Sequence, residues 1–114
     1  MRRLAAALVF AAIGAPAFAQ AIAPGEAQAH VGQSVTVQGI VSDVHVTSSG
    51  MGFIDMGGRY PHNAFTGVIF SEDAGKFANL EALEGRTVAI SGMVKLYRGK
   101  PEIILKDAGQ LKTQ

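Results

Sequence analysis

Thirteen consecutive residues, Ser34–Val46 (SVTVQGIVSDVHV), alternate around one interior glycine, and this run constrains the fold more than any other feature. Val35, Val37, Gly39 and Val41 share one parity; Thr36, Gln38, Ile40 and Ser42 share the other. Period-two alternation of this length predicts a long, half-buried strand rather than a helix. Gly39 predicts a bend or bulge, because an interior glycine otherwise weakens a strand. A bent strand suits pairing with two neighbours, one along each half.

The remaining segments read as shorter elements. Thr47–Gly50 is a turn cluster, and Gly52–Met56 (GFIDM) is a second strand. A loop, Gly57–Asn63, leads to a third strand, Ala64–Phe70 (AFTGVIF), rich in β-branched and aromatic residues. Phe77, Leu80 and Leu83 recur within Asp73–Leu83, with Gly85 just beyond, which predicts one short helix. Arg86–Tyr97 alternates again as a fourth strand. A tight Arg98–Pro101 connection joins it to a fifth, Glu102–Lys106. Five short strands leave bare edges unless the sheet closes. The expected fold is therefore an all-β small barrel over residues 31–112, with the helix between strands three and four at its bottom, preceded by a flexible lead-in at 20–30.

Composition removes whole classes of chemistry. The 114 residues make one domain at most and contain no Cys, which excludes a disulfide scaffold, a thiol enzyme, a Cys-ligated zinc site and an iron–sulfur centre. Arg2 and Arg3, the uncharged apolar stretch Leu4–Gly14 and the small-x-small site Ala17-Phe18-Ala19 form the three-part pattern of a secretory signal peptide. Cleavage after Ala19 and a periplasmic or secreted location are expected. Without Arg2 and Arg3, the 10 Lys+Arg become eight against 9 Asp+Glu, so the remaining chain is slightly acidic. No P-loop, nucleophile elbow or Gly-rich dinucleotide motif is present, so neither catalysis nor a cofactor is expected.

The runs Gly52–Phe70 (GFIDMGGRYPHNAFTGVIF) and Gly85–Gly92, with the tail Val94–Leu111 (VKLYRGKPEIILKDAGQL), resemble small exported bacterial OB-fold proteins. These belong to the tRNA-anticodon/helicase type of nucleic-acid-binding domain, and Leu96–Ile103 (LYRGKPEI) is the most specific stretch. The resemblance implies a five-stranded OB-fold and the binding of single-stranded DNA or RNA.

Such binding needs aromatic faces for stacking and cations for phosphates. Alternation puts Phe53, Asp55, Thr66, Val68 and Phe70 on one face, outward because it contains Asp and Thr. Phe53 and Phe70 then read as stacking platforms or, alternatively, as core residues. In the anticodon-binding relatives an aromatic at the position resembling Phe53 has the stacking role. Tyr97, Arg98 and Lys100 fall in the last hairpin, flanked by Lys95, and Arg59 with Tyr60 forms a second aromatic–basic group. The hairpin also reads as an ordinary solvated turn that needs its Gly and Pro. His30, His45 and His62 are dispersed; Asp43 and His45 share a strand face near Asp55, but no metal-binding spacing occurs. The near-neutral balance predicts weak, salt-dependent nucleic-acid binding. The competing expectation is a periplasmic adaptor or stress module that binds a protein, a cation or an oligosaccharide on the same face.

Overall fold

A computed structural model describes residues 21–114. The expected signal segment, Met1–Ala19, lies outside the described residues. The fold is all-β. Its strands are β1 (Ala21–Ile22), β2 (Ser34–Val46), β3 (Gly52–Met56), β4 (Phe65–Ile69), β5 (Thr87–Met93), β6 (Lys95–Tyr97), β7 (Lys100–Ile104) and β8 (Leu111–Thr113). They form one mixed sheet in the order β6-β7-β4-β3-β2-β5-β8, with β1 parallel to β2.

The long strand pairs as its bend predicts. Its first half, Ser34–Ile40, runs antiparallel to β5, and its second half, Val41–Val46, runs antiparallel to β3. The register shift is not at Gly39. Val41 pairs with Met56 but Asp43 with Asp55, so Ser42 is the extra residue of a bulge. One inserted residue flips every side chain beyond it. Val37 and Val41 therefore point into the core, Val44 does so after the shift, and Asp43 and His45 turn outward. Gly39 has a different job: a Cβ there would lie 2.7 Å from Cγ of Pro24, so glycine lets the Pro24–His30 turn pack against β2.

Four expectations are corrected. The strand count is eight among the described residues rather than five, because Arg86–Tyr97 breaks at buried Val94 into β5 and β6, and β1 and β8 add short edges. The helix between β4 and β5 is absent; in its place are two 3-10 turns, Ser71–Lys76 and Leu80–Leu83. Between them Asn79 adopts a left-handed backbone, φ 49°, which ends any continuous helix. Leu80 and Leu83 stand one 3-10 period apart within the second turn, whereas Phe77 is extended and lies in neither. The stretch expected as a lead-in contains β1 and a 3-10 turn whose Ala27 is fully buried. The strand expected over Glu102–Lys106 is β7, and it begins two residues early, at Lys100, and ends at Ile104. Pro101 loses no ladder bond to β4, because that parallel pairing begins at Glu102.

The core lies beneath the sheet's inner face. Ile54, Met56, Phe65, Ile69, Val88, Ile90 and Ile103, drawn from β3, β4, β5 and β7, are fully buried, as is Leu105 just beyond β7. Gly67 admits them: a Cβ there would lie 2.8 Å from Cδ1 of Ile90.

Candidate nucleic-acid interface

On the opposite face the registers align polar side chains in a row across five strands. Asp43 pairs with Asp55, Asp55 with Thr66, Thr66 with Glu102, and Glu102 with Lys95. Directly opposed residues share a face with Cβ atoms about 5 Å apart. Two residues further along, His45 pairs with Phe53, and their rings stack with centroids 6.3 Å apart and planes at 27°. The parity assigned from sequence therefore holds, but Asp55 and Val68 are buried despite facing outward. The loop between β3 and β4 shields Asp55.

That loop, residues 57–64, is tied down at each end. Gly57 and Gly58 take positive φ, and a Cβ on Gly58 would lie 2.9 Å from the carbonyl oxygen of His62. The Gly58 N–H donates to Oγ of the bulge residue Ser42, and Arg59 pairs with Asp43 at 3.2 Å. Buried Asn63 donates through Nδ2 to Oγ1 of Thr66 (2.6 Å), the carbonyl of Phe65 (3.1 Å) and Oδ1 of Asp55 (3.3 Å). Thr66 Oγ1 donates in turn to Asp55 Oδ1 at 3.0 Å. Lys100 closes the loop from the far side, donating through Nζ to the carbonyls of Pro61 and Asn63.

The last hairpin supplies the other wall. Tyr97 and Lys100 pair directly, so Arg98-Gly99 is a two-residue turn with φ 52° and 81°. Positive φ at both positions is the type I′ signature that matches strand twist. The turn lifts Arg98 back over Tyr97, with its guanidinium carbon 5.2 Å from the ring centroid.

Loop, sheet face and hairpin enclose a cleft of ≈ 620 Å³. Phe53, Tyr60, Tyr97, Arg98 and Lys100 all line it, so five of the eight residues singled out from sequence converge. Phe70 lines a smaller, apolar neighbouring cleft that shares Phe53 and Tyr97 with the first. Arg59 and Lys95 stand outside the walls of both. The alternatives for Phe53 and Phe70 resolve between the two readings: Phe53 is half-buried against His45, and Phe70 is exposed at the rim. Lys100 is partly occupied by its two loop carbonyls.

Three carboxylates, Asp43, Asp55 and Glu102, line the same cleft; alternation puts Asp55 on the face of Phe53, but no local signal marks Glu102. Asp43 and His45 had been placed on one face, but as metal candidates. Among the described residues no group of three or more His, Cys, Asp or Glu stands close enough to hold a metal ion. Burial pushes the Asp55 carboxyl above its ordinary range; the Thr66 hydrogen bond opposes this, Asp43 adds to it, and His45 and Lys100 oppose it. Burial also pushes Glu102 up, with Lys95 opposing. The pairing of Thr66 with Glu102 was not readable locally, because it joins parallel strands far apart in the chain.

No family model matches the sequence, and no curated protein matches it. Solved structures do match. One is a candidate aspartyl-tRNA synthetase from Leishmania major Friedlin, similar over 83% of this chain with a TM-score of 0.54 and 14% identity. The likeness is one of fold. The chain spans only 21% of that protein's length.

Proposed function

We propose that this protein is a non-catalytic OB-type module that binds single-stranded nucleic acid in the aromatic cleft. The carrying observation is that Phe53, Tyr60, Tyr97 and Arg98 line one cavity of ≈ 620 Å³. Aromatic faces accept any base by stacking, and a cation over them meets the backbone. The OB-type reading rests on the pairing plan. β2 reaches both β3 and β5, β4 runs parallel to β7, and β6 follows β5 after Val94 alone. β6, at one end of the sheet order, thus follows directly in the chain on β5, near the other end, and this is what supports a barrel-like arrangement. The likeness in fold to part of a candidate tRNA synthetase, whose name refers to a nucleic acid, supports the ligand class. Export is part of the reading and rests on the Arg2–Ala19 pattern.

Arg98 adds a local argument. A position with φ 52° favours Asn or Gly, so an arginine is held there against turn preference. Its place on the cleft wall gives it a use. Fluorescence anisotropy with labelled single strands at low salt tests the reading. Saturable binding that falls at least about tenfold in Phe53→Ala/Tyr97→Ala is expected, since each stacked base contributes about 1–3 kcal/mol. Equal binding by a folded double variant removes this site.

One observation favours a second reading. Three carboxylates, Asp43, Asp55 and Glu102, line the same cleft, and they suit an oligosaccharide or a cationic protein segment better than a phosphate chain. Binding that does not weaken with salt distinguishes an oligosaccharide from a nucleic acid.

A further inference from the structure

The two adjoining clefts have three side chains in common: Phe53, Tyr97 and Glu102. Their junction is therefore two aromatic groups and one carboxylate. Glu102 is half-buried, and it takes part in neither ion pair of the described residues, Arg59–Asp43 and Lys76–Asp73. Its ladder partner Lys95 is exposed and outside both clefts. The other carboxylates are already engaged: Asp43 by Arg59, and Asp55 by Thr66 and Asn63. Glu102 is thus the free acceptor between the platforms.

Resting on the nucleic-acid reading, we infer that Glu102 selects the base, accepting a hydrogen bond from an exocyclic amine of a base stacked on Phe53 or Tyr97. An ionised carboxylate offers acceptors only. Cytosine N4 and adenine N6 present amino donors to it, and carboxylates are recognised partners of cytosine N4. Thymine and uracil place two carbonyl oxygens on either side of their single N3–H, and both oxygens repel the carboxylate. The row also repels phosphate, so the backbone runs on the Arg98 side and the base edge points to Glu102. The cleft is a reader of amino-bearing bases rather than a general polyanion groove.

The test measures affinity for short oligodeoxycytidine, oligodeoxyadenosine and oligothymidine strands of equal length, at neutral pH and low salt. Wild type and Glu102→Gln are compared, with a thermal melt of each. Wild type is expected to prefer the cytosine and adenine strands by about tenfold, the discrimination of one hydrogen-bonded base contact. Glu102→Gln, whose amide both donates and accepts, is expected to gain on thymine and level the ratio. An equal preference in wild type, or a preference that survives in folded Glu102→Gln, overturns the inference while leaving nucleic-acid binding standing. No binding to any strand overturns both. If Glu102→Gln melts early, Glu102→Asp serves instead, since shortening the reach must also reduce the preference.

Discussion

Phe53 and Lys100 show how much a side chain's neighbours decide. The sequence points to both as ligand contacts. Phe53 keeps a half-exposed ring, stacked on His45, at the junction of the clefts. Lys100 donates two hydrogen bonds to the loop carbonyls of Pro61 and Asn63, which gives it a structural task that a surface phosphate contact lacks. Lys100→Met keeps the stem but removes both bonds, and is expected to lower stability by about 1–3 kcal/mol. Chemical denaturation checks this: an unchanged midpoint means the loop does not depend on the ammonium. Gly67 makes a similar prediction for the inner face. Gly67→Ala puts a methyl 2.8 Å from Cδ1 of Ile90 and 3.1 Å from Cδ1 of Leu105, which should cost about 1–3 kcal/mol.

Among the elements, β3 was legible to the residue, because GFIDM is a short run between turn signals. β2 was legible in extent; Gly39 predicts a bend or a bulge, the change of partner comes just after it, and the bulge itself lies at Ser42. The offset has a physical reason. A bulge is fixed by the partner strand's register, which local sequence does not contain, whereas the glycine answers a close approach from Pro24. Without the bulge Asp43 and His45 would share the inward face of Val41. The helix failed for a related reason: three-residue spacing fits a 3-10 turn, and left-handed Asn79 divides the segment. Half the cleft is visible in the aromatic–basic pairs, and alternation places Asp43 and Asp55 on their strand faces; Glu102 joins them only when β4 and β7 align in parallel. The Arg98-Gly99 turn makes a prediction at this scale. Arg98→Asn relieves the positive-φ strain and removes the cation. It should raise the melting temperature while weakening nucleic-acid binding, and a fall in both would mean the arginine stabilises the hairpin through Tyr97.

For the molecule as a whole, the balance of charge sets how binding responds to solution conditions. Cations and carboxylates line the same cleft, so affinity for a phosphate chain should be modest. With one or two phosphates neutralised, the slope of log K on log salt should be about −1, since each contact to a single strand contributes about −0.7. The same carboxylates set the response to pH. Burial raises Asp55 and Glu102, so the fold favours their protonated forms. Their contribution to stability is greatest below the ordinary carboxylate range and is lost as pH rises through the raised folded values. Wild-type stability should therefore fall relative to Glu102→Gln across weakly acidic pH, and parallel denaturation curves would contradict the burial of that carboxyl. Over the same range, as pH falls, protonation removes the ionised acceptor at Glu102, so the preference for cytosine and adenine strands over thymine should shrink, which affinities measured at two pH values check.

The most direct test of the aromatic cleft is a map of backbone amide shifts as a short single strand is titrated into the protein. Saturable shifts confined to β3, the 57–64 loop and the β6–β7 hairpin are expected, with the Ser71–Lys76 and Leu80–Leu83 turns unaffected. Saturable shifts centred on those turns, or none at any ratio of strand to protein, would contradict it.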